Sequence, residues 1–554
     1  MVHKSKFKIQ LPETDLLSYL FGTSTSTRQG KEIPDQPIWL DAGNPSRSIS
    51  KRDALAYIER FALGLERLGI RQGDVVLMFT PNHIFVPIAY LGTIAHGATF
   101  TGAGTTATVS DLAYQISHTE AKLVLYHPEY SSVAKAAAKS AGLPESSLYW
   151  FSDSNNVSNE PQGWQSILVP TDEASKHPLR SFDHSKVHKQ PAVINFSSGT
   201  TGRPKGVCVS QANLIANVEQ GIFINSRGQG ASYIGKEPQR WLGFLPLYHA
   251  YGQLFSIVMA CKLGVPVFIM SHFHLKTFLQ CIQDHKITHL QTAPPLLVML
   301  SKRPEVASYD LSSLKDIICG AAPLSRELQN EISTRFNVLI RQTWGGTELT
   351  CSATTTPGSM SDDSGSTGVL LPNMECKIIG DDGNEVGVGE RGEAYLKGPN
   401  VCLGYLKNEE ATNNAIIDGF YRTGDVVVCD DRGMFYVVDR MKEILKVNGF
   451  QVAPAELEAL LLDHEAIADA GVIGVPRSEG EVPLAYVVLK SPFVGRLSNT
   501  DIQHWLSSRV AKYKRLEGGV IFIDRIPKSP TGKIQRKELR EMYRIQAVAS
   551  GPRL

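Results

Sequence analysis

Short, wholly apolar runs recur along this chain, and most of them end in a loop of small or polar-edged residues. Such runs occupy residues 75–79, 123–126, 241–245 and 265–270, and residues 338–344 form a further strand-to-loop junction. Before the first of them, residues 50–70 place Ile58, Phe61, Leu65 and Leu68 on one face of a helix. Apolar strands that alternate with helices are typical of α/β architecture with parallel sheets. Because ligands gather at the carboxyl ends of such strands, we expect one large ligand crevice there.

The chain is too long for one hydrophobic core. At 554 residues it is expected to form at least two domains. From Met374 onward the pattern changes to short strands and glycine turns, and the charged segment 439–443 precedes a further unit of about a hundred residues. We therefore predict an α/β fold with a large N-terminal domain of stacked, mainly parallel sheets and helices (1–438). A hinge (439–443), a small α+β C-terminal domain (444–545) and a tail (546–554) complete the predicted organisation.

Composition and charge exclude several classes of protein. Hydrophobic residues make up 42% of the chain and charged residues 20%, which is typical of a globular enzyme. The net charge of +1 gives no basic excess for nucleic acid. The eight cysteines lack CxxC spacing, so neither a zinc site nor a disulfide framework is predicted, and a reducing compartment is favoured. The most apolar long run, 254–270, contains Lys262, Gly264 and Pro266, so we predict a buried helix followed by a strand and no transmembrane segment.

A phosphate-binding loop is predicted at residues 195–206, Asn-Phe-Ser-Ser-Gly-Thr-Thr-Gly-Arg-Pro-Lys-Gly. Its glycines allow the backbone to approach a ligand closely, and its amides and hydroxyls can form an anion nest. The loop is not a Walker A motif, because Pro204 precedes Lys205 and Gly206 follows it. Taken alone, a surface loop rich in Ser, Thr and Gly is the alternative interpretation.

Four further motifs follow this loop: Trp344-Gly-Gly-Thr-Glu348, Tyr421-Arg-Thr-Gly-Asp425, Asp439-Arg-Met-Lys442 and Pro530-Thr-Gly-Lys533. In kind and in order, the five segments resemble the adenylate-forming superfamily, which includes acyl-CoA synthetases, nonribosomal peptide adenylation domains and firefly luciferase. Residues 447–456, Val-Asn-Gly-Phe-Gln-Val-Ala-Pro-Ala-Glu, are most similar to 4-coumarate–CoA ligase-type acyl and aryl ligases. The resemblance spans nearly the whole chain and is more specific for the reaction class than for the acid.

The resemblance implies that the protein activates a carboxylic acid with ATP. The carboxylate attacks the α-phosphate to give acyl-AMP and pyrophosphate, and cations and N–H donors must offset the developing negative charge. Lys205 is assigned to the β- and γ-phosphates, Thr347 to the α-phosphate and Glu348 to Mg²⁺. Asp425 and Arg440 are assigned to the ribose. The implied ATP- and AMP-binding set is Ser197, Ser198, Gly199, Thr200, Thr201, Gly202, Lys205, Gly320, Ala321, Gln342, Trp344, Gly345, Thr347, Asp425, Arg440 and Lys533.

Several of these roles have a structural alternative. Trp344, where the family usually has Tyr, would stack on adenine opposite the backbone of residues 320–323, but a buried core Trp is the competing interpretation. Asp425 could cap amides in a turn, and Glu348 could be a solvated loop acid. The matched motifs favour the functional interpretation of both acids.

Two lysines of the small domain are implied to act in turn. Lys533 would reach the carboxylate and the α-phosphate during adenylation, whereas Lys446 and Gln451 lie on another face of the domain. That face would replace the first when the mobile domain rotates about Lys442, so that one pocket performs two reactions. In the second reaction, the CoA thiolate attacks acyl-AMP and AMP leaves.

The implied CoA contacts depart in part from the family pattern. They are Gly449, Phe450 and His272, and His272 stands where the family has a lysine for the CoA phosphate. His249 resembles the aromatic gate between the thiol tunnel and the acyl pocket, and a general-base role is the alternative.

The implied acyl pocket contains Gly320, Tyr251, Phe255 and Thr343. Thr343 replaces the usual glycine and should narrow the pocket, while Tyr251 and Phe255 add bulk. These residues favour a compact aromatic or a short- to medium-chain acid, although helix packing accounts for Phe255 equally well.

The leading interpretation is an ATP- and CoA-dependent ligase acting on a small carboxylic acid. A second is an adenylating enzyme whose acceptor is a carrier-protein thiol or, as in luciferase, oxygen. A third is an inert module that binds nucleotide or acyl groups. The presence of Lys205, Glu348, Lys446 and Lys533 together argues against the third, because a binding module needs no pair of alternating lysines.

The C-terminal tripeptide, Pro552-Arg-Leu554, resembles a variant of the Ser-Lys-Leu peroxisomal address, and the N-terminus lacks the apolar core of a signal peptide. We expect a peroxisomal protein that binds the import receptor for this address. A cytoplasmic protein with a chance terminal tripeptide is the alternative.

Deleting residues 552–554 from an N-terminally tagged fluorescent fusion is expected to disperse a punctate signal, because the receptor reads the free C-terminal tripeptide. Fluorescence microscopy beside a peroxisomal marker measures the change. A diffuse signal from the intact fusion would contradict the peroxisomal assignment.

Overall fold

The structure, a computed structural model, describes residues 1–22, 33–153, 162–174, 176, 184–197, 203–226, 238–358, 360–447, 450–477, 480–530 and 532–549. Some predicted features lie outside these ranges: Ser198, Gly199, Thr200, Thr201, Gly202, Gly449 and the C-terminal tripeptide 552–554.

A nine-stranded sheet forms one layer of the large domain. Its strands are, in spatial order, Val369–Leu370, Thr354–Thr355, Leu339–Trp344, Asp316–Cys319, His289–Thr292, Trp241–Gly243, Val267–Ile269, Pro37–Asp41 and Ser48–Ser50. The six strands from Leu339–Trp344 to Pro37–Asp41 are parallel, and the edge strands pair antiparallel. The carboxyl ends of the parallel strands therefore share one edge of the sheet.

A seven-stranded sheet forms a second layer. Its order is Gly404–Tyr405, Lys205–Ser210, Pro191–Ser197, Thr99–Ala103, Val75–Phe79, Leu123–Tyr126 and Leu148–Trp150. Its last five strands are parallel. One continuous core contains Trp39 and Ile269 from the first sheet and Val76 and Phe100 from the second. The predicted α/β fold with stacked, mainly parallel sheets is confirmed.

Helices cover and separate these sheets. The α-helices are Leu16–Phe21, Lys51–Arg67, Val86–His96, Val109–Thr119, Ser131–Ser140, Thr171–Ala174, His184–Lys189, Gln211–Ser226, Ala250–Gly252, Ala260–Leu263, Leu275–His285, Pro294–Lys302, Arg326–Phe336, Glu409–Ala415, Pro454–Leu462, Asn499–Ser507 and Arg536–Ala549. A π-helical segment, Gln253–Met259, lies between two of them, and 3₁₀ turns occupy Pro128–Tyr130, Glu145–Ser147, Trp164–Ile167, Pro304–Ser308, Thr347–Leu349, Ser491–Phe493 and Lys512–Lys514.

The long apolar run near residue 260 is a buried helix followed by a strand, as the sequence predicts. In the described ranges, no helix combines the length and the apolar character needed to cross a bilayer.

A third sheet completes the large domain and leads into the small one. Its antiparallel strands are Val2–Lys4, Glu375–Ile379, Arg391–Lys397, Phe420–Cys429 and Ile416–Ile417, with Phe435–Arg440 paired to Phe420–Cys429. The strand Phe435–Arg440 ends within the predicted hinge. Asp439 is buried and accepts a hydrogen bond from the Ala455 N–H at 3.0 Å, whereas Lys442 is exposed. The hinge itself stays a prediction.

The described residues of the small domain form five strands and three α-helices. Phe450–Val452, Leu445–Val447, Gly480–Leu489 and Ile467–Arg477 follow one another, and Gly519–Phe522 pairs with Gly480–Leu489. Leu457 and Leu461 of one helix and Ile502 of another pack with Val472 and Val487 of the sheet. This is the α+β architecture that the sequence predicts for the C-terminal unit.

Candidate active site

The predicted crevice lies where the parallel strands Asp316–Cys319 and Leu339–Trp344 end side by side. Gly345 must be glycine, because a Cβ there would lie 2.0 Å from the Cys351 carbonyl oxygen. Gly320 is similarly confined, since a Cβ would lie 2.7 Å from Thr343 Cγ2. The two strand ends and the loops that follow them therefore pack closely, which fixes the floor of the crevice.

Three predicted nucleotide residues shape this floor. Ala321 adopts a left-handed backbone with φ of 71°, and half-buried Thr347 begins the turn Thr347–Leu349. The buried Gln342 amide donates to Gln329 Oε1 at 2.7 Å and to the Leu324 carbonyl at 3.3 Å. Gln342 therefore holds the loop after Gly320 in place.

The centre of the site is the buried carboxylate of Asp425. Trp344 Nε1 donates a hydrogen bond to Asp425 Oδ2 at 2.8 Å, and Arg440 Nε lies 2.7 Å from Asp425 Oδ1. Asp425 and Arg440 are direct partners in the antiparallel strand pair, so backbone register places this ion pair. The indole N–H is a contact that sequence reasoning missed, because it considered only the π-surface of Trp344.

The Trp344 ring is mostly enclosed. Its exposed fraction is 7%, and its centroid lies 6.5 Å from that of Phe435 with an angle of 26° between the rings. One face of the indole is thus used in packing, so an adenine would have to use the other. The stacking role of Trp344 stays a prediction.

A second carboxylate, Glu348, lies beside a tyrosine that sequence reasoning did not single out. Tyr405 donates its hydroxyl hydrogen bond to Glu348 Oε1 at 3.1 Å, and Lys205 Nζ lies 4.8 Å from the centre of the Tyr405 ring. Burial and then the Glu348 charge raise the pKa of Tyr405 above its ordinary value, so this hydroxyl stays protonated. Tyr405 therefore links the lysine of the predicted phosphate loop to the predicted metal ligand.

The two ends of the phosphate loop are held together by strand pairing. Ser197 and Lys205 are partners in the antiparallel ladder between Pro191–Ser197 and Lys205–Ser210. Gly404–Tyr405 pairs with the same second strand, through Tyr405 opposite Val207. The sheet thus delivers both Lys205 and Tyr405 to the crevice.

Lys533 enters the site from the small domain. Its loop packs on the large domain: a Cβ on Gly532 would lie 2.8 Å from Pro295 Cγ. Burial, and then the Arg440 guanidinium, lower the pKa of Lys533, whereas the carboxylates of Asp425 and Glu348 raise it. The structure therefore brings Lys533 close to Asp425 and Glu348, the residues predicted to bind the ribose and the metal.

Lys446 and Gln451 occupy a different place. They are partners across the hairpin formed by Leu445–Val447 and Phe450–Val452. Lys446 is exposed, and Gln451 Nε2 donates to Asp381 Oδ2 at 2.7 Å, in a turn of the third sheet. In this arrangement Lys533 faces the crevice and Lys446 faces solvent.

The residues predicted for the acyl side lie on the other flank of the crevice. His249 Nδ1 accepts from the Tyr251 N–H at 3.3 Å, and Tyr251 donates its hydroxyl hydrogen bond to the Ile318 carbonyl at 2.9 Å. Phe255, in the π-helical segment, meets Tyr251 edge to face at 5.2 Å. Burial, and then the charge of Lys533, lower the pKa of His249 to about 4, so its imidazole is neutral at pH 7.

A small cavity lies beyond these residues. It lies between apolar Phe255, Met259 and Ile318 and polar Asn217, Ser352 and Thr355, and the free space there, open solvent included, is at most about 270 Å³. Of the predicted acyl residues, only Phe255 lines it directly. Sequence reasoning missed Asn217, Ser352 and Thr355, because nothing local marks the inner face of the helix Gln211–Ser226 or of residues 352–355.

Thr343 lies next to Thr355, one of the residues that line this cavity. Its hydroxyl accepts a hydrogen bond from Thr355 Oγ1 at 2.9 Å and donates to the Thr354 carbonyl at 2.8 Å. Its methyl group faces the position that a Cβ on Gly320 would take. The threonine therefore lies between Gly320 and Thr355, and its predicted narrowing of an acyl pocket stays a prediction.

The predicted CoA residues lie apart from the enclosed site. His272 is exposed just beyond the strand Val267–Ile269. It lies near His127, whose pKa is lowered mainly by its own burial and further by the proximity of His272. Phe450 is exposed on the hairpin of the small domain and stacks on Tyr513, which sequence reasoning did not single out.

Comparison with known proteins gives a consistent result. The family model described as AMP-binding enzyme matches residues 26–406, and the one described as AMP-binding enzyme C-terminal domain matches residues 456–533. A probable 4-coumarate–CoA ligase 3 of Dictyostelium discoideum is 36% identical over 534 residues, covering 93% of each chain. The phenylacetyl-CoA ligase epaB of Aspergillus niger is 35% identical over 552 residues, covering 98% of this chain and 99% of its own length.

A solved structure shares the whole architecture. ATP-bound MatB from Rhodopseudomonas palustris superposes with a TM-score of 0.81 at 25% sequence identity, covering 96% of this chain and 98% of MatB.

Gly345→Ala is expected to weaken ATP binding at least tenfold and to lower the melting temperature, because its methyl group has no space beside Cys351 and must displace Thr347 and Glu348. Isothermal titration with ATP and thermal unfolding measure both effects. Gly346→Ala is the matched control, since the nearest atom to its Cβ is Glu348 Oε2 at 3.7 Å. Equal behaviour of the two variants would contradict the packing derived for this turn.

Proposed function

This chain belongs to the AMP-binding enzyme family, and from that premise we propose that it is an ATP-dependent carboxylic acid–CoA ligase that forms acyl-AMP and then acyl-CoA. The observation that carries the proposal is the position of Lys533 in the crevice while Lys446, on the same domain, faces solvent. One domain that carries two lysines on separate faces suits two successive reactions at one site.

In the first reaction a carboxylate oxygen attacks the α-phosphorus of ATP. The new O–P bond forms as the bond from the α-phosphorus to the β-bridging oxygen breaks, and pyrophosphate leaves. Negative charge increases at the attacked phosphate, and Lys533 would be the cation that offsets it. Lys205, over the ring of the tyrosine that bonds Glu348, would meet the β- and γ-phosphates.

Glu348 would hold Mg²⁺ together with the phosphates. Among the described residues, Tyr405 is the one hydrogen-bond donor to its side chain, through one oxygen, and the carboxylate is partly exposed. No cluster of three or more metal-binding side chains occurs in the part of the chain that the structure describes, which fits an ion that arrives with the nucleotide. When bound, Mg²⁺ supplies positive charge to the phosphate oxygens.

In the second reaction the CoA sulfur attacks the carbonyl carbon of acyl-AMP. A C–S bond forms, the C–O bond to AMP breaks, and the thiol proton passes to solvent. Lys446 and Gln451 would replace Lys533 at the crevice, which requires the hydrogen bond from Gln451 to Asp381 to break. The low pKa of His249 makes it a weak base, and this favours the steric gate over the general-base alternative.

The substrate is proposed to be a compact aromatic or a short- to medium-chain acid with one carboxylate. All of the described residues that line the small cavity are uncharged. The guanidinium that bonds the lining residue Asn225 belongs to Arg341, and it is already paired with both oxygens of buried Asp316 at 3.1 and 2.6 Å. A second carboxylate on the substrate would therefore have no free cation to meet.

We propose a peroxisomal location for this activity, on the resemblance of residues 552–554 to a Ser-Lys-Leu-type address.

The proposal is tested by pyrophosphate release from ATP over a panel of aryl, medium-chain and hydroxy acids, with and without CoA. Acid-dependent release that continues to thioester when CoA is added is the expected result. Activation without a CoA-dependent thioester would favour transfer to a carrier-protein thiol or to oxygen. If none of the acids stimulates pyrophosphate release, the protein would be interpreted as an inert module that binds nucleotide or acyl groups.

The two lysines are expected to separate the half-reactions. Lys533→Ala should lower acyl-AMP formation by a factor of about 10² or more, because it removes a cation from the transition state, yet supplied acyl-AMP should still become thioester. Lys446→Ala should slow thioester formation more than adenylation. Labelled pyrophosphate exchange and single-turnover thioester assays measure the two steps. Equal loss of both steps in both variants would refute the proposal that Lys446 replaces Lys533 at the crevice between the two reactions.

The rate of adenylation is expected to fall at alkaline pH as Lys533 loses its proton. Its pKa lies below the ordinary lysine value of 10.5 and its charged form exists below that pKa, so kcat/KM for pyrophosphate exchange should fall as pH rises through a value lower than 10.5. The limb for kcat should lie at higher pH, because bound phosphates favour the ammonium form. Lys533→Arg is the control: its guanidinium stays charged and should remove the limb, and an unchanged limb would assign it to another group.

A further inference from the structure

A short segment, residues 402–406, holds two parts of the crevice at a fixed spacing. At its start, the Cys402 N–H donates a hydrogen bond to the Glu348 carbonyl at 2.8 Å. At its end, the Leu406 N–H donates to the Gly206 carbonyl at 2.8 Å. The segment therefore ties the turn of the predicted metal ligand to the strand that begins with the predicted phosphate lysine.

Within this segment the backbone of Tyr405 is held on both sides. Its N–H donates to Thr412 Oγ1 at 2.9 Å, and the residue is the ladder partner of Val207. Gly404, just before it, has no room for a side chain, because a Cβ there would lie 2.5 Å from Thr412 Cγ2. The backbone thus fixes the direction in which the Tyr405 side chain leaves the segment.

The Tyr405 side chain stands between two opposite charges. Its hydroxyl donates to Glu348 Oε1 at 3.1 Å, and Lys205 Nζ lies 4.8 Å from the centre of its ring. In the described part of the chain Lys205 makes no ion pair, although Glu348 contacts the same tyrosine. Without the ring, Coulomb attraction would favour a direct pair between the lysine and the carboxylate.

Such a pair would occupy both groups that the first half-reaction needs. Among the described residues, no group of three or more side chains could hold a metal ion, so an ion that arrives with the nucleotide would depend on Glu348. The hydrogen bond from Tyr405 uses Oε1 and leaves Oε2 for the ion. Partners of this kind orient a metal-binding carboxylate.

We propose that Tyr405 is a positioning residue that holds Lys205 and Glu348 apart, so that the lysine stays available to the β- and γ-phosphates and the carboxylate to Mg²⁺. The inference rests on the proposed adenylation reaction, and it adds the side chain that keeps two charged groups from neutralising each other. The ring and the hydroxyl have separate tasks: the ring separates the charges, and the hydroxyl orients the carboxylate.

The test measures binding rather than turnover. Affinity for α,β-methylene-ATP, whose bridging carbon blocks adenylation, is determined by isothermal titration with and without Mg²⁺. The ratio of the two affinities reports the coupling between metal and nucleotide. Tyr405→Phe keeps the ring, so it should leave the metal-free affinity unchanged and lower the Mg²⁺ effect about tenfold. Tyr405→Leu should lower the Mg²⁺ effect and also weaken metal-free binding about fivefold, because Lys205 would then pair with Glu348.

A double-mutant cycle separates this role from general damage to the site. In a Lys205→Gln background, Tyr405→Leu should cost no further metal-free affinity, because the lysine that would pair with Glu348 is gone. Losses that simply add would overturn the proposal.

Tyr395 supplies the matched control. It lies on the third sheet beside Glu393, and the guanidinium carbon of Arg422 lies 6.0 Å from the centre of its ring. Tyr395→Leu therefore removes a tyrosine between a cation and a carboxylate elsewhere in the protein. It should change neither affinity.

Wild-type affinities with and without Mg²⁺ in both Tyr405 variants would overturn the proposal. Thermal unfolding checks that the variants fold; should Tyr405→Leu fail to fold, Tyr405→Phe decides, and an undiminished Mg²⁺ effect overturns the proposal. Failure of the proposed function looks different: wild-type protein would bind the analogue more tightly with Mg²⁺ yet release no pyrophosphate from ATP with any acid.

Discussion

A single buried carboxylate joins the separate parts of this active site. Asp425 lies on the third sheet, accepts a hydrogen bond from Trp344 of the nine-stranded sheet and pairs with Arg440 across its own strand ladder. A buried charge is tolerated only when partners satisfy it, so these two contacts set the relative positions of both sheets at the crevice. Gly345, next to Trp344, extends that constraint to the turn that carries Thr347 and Glu348.

In the described part of the crevice, the cations Lys205, Arg440 and Lys533 face the two carboxylates of Asp425 and Glu348. Asp425 and Glu348 are opposed by Arg440 and Lys533, and burial together with Arg440 holds the pKa of the lysine below its ordinary value. A polyphosphate would add negative charge and favour the ammonium form. ATP would therefore bind more tightly to the arrangement with Lys533 in the crevice than to one with Lys533 outside it. A ligand favours the state that it binds more tightly, so bound ATP would favour the inward position of Lys533.

The small domain keeps its two sets of functional groups on separate rigid elements. Lys533 lies in the loop before the helix Arg536–Ala549, while Lys446 and Gln451 lie on a hairpin whose strands are paired residue by residue. Rotation of the domain could exchange these groups without refolding either element. In the present arrangement, the hydrogen bond from Gln451 to Asp381 is one contact that such a rotation would break.

Much of the fold could be predicted from local patterns, because apolar runs such as residues 75–79 and helical faces such as that of Phe61 depend on neighbours in the chain. The five motifs likewise indicated the family, and they predicted that Lys205, Glu348, Asp425 and Lys533 belong to the active site. The exact strand lengths and the π-helical segment Gln253–Met259 were not predicted, because tertiary packing decides where an apolar run changes conformation.

By itself, the sequence determined the alternation of strands and helices, the order of the motifs and the chemical class of the site. Only the tertiary structure decided that Tyr405 links Lys205 to Glu348, that the Trp344 indole bonds Asp425, and that Asn217 and Ser352 line the small cavity beside Phe255. The physical reason is sequence distance: these contacts join residues far apart in the chain, and no local periodicity or spacing records which side chains a folded sheet brings together.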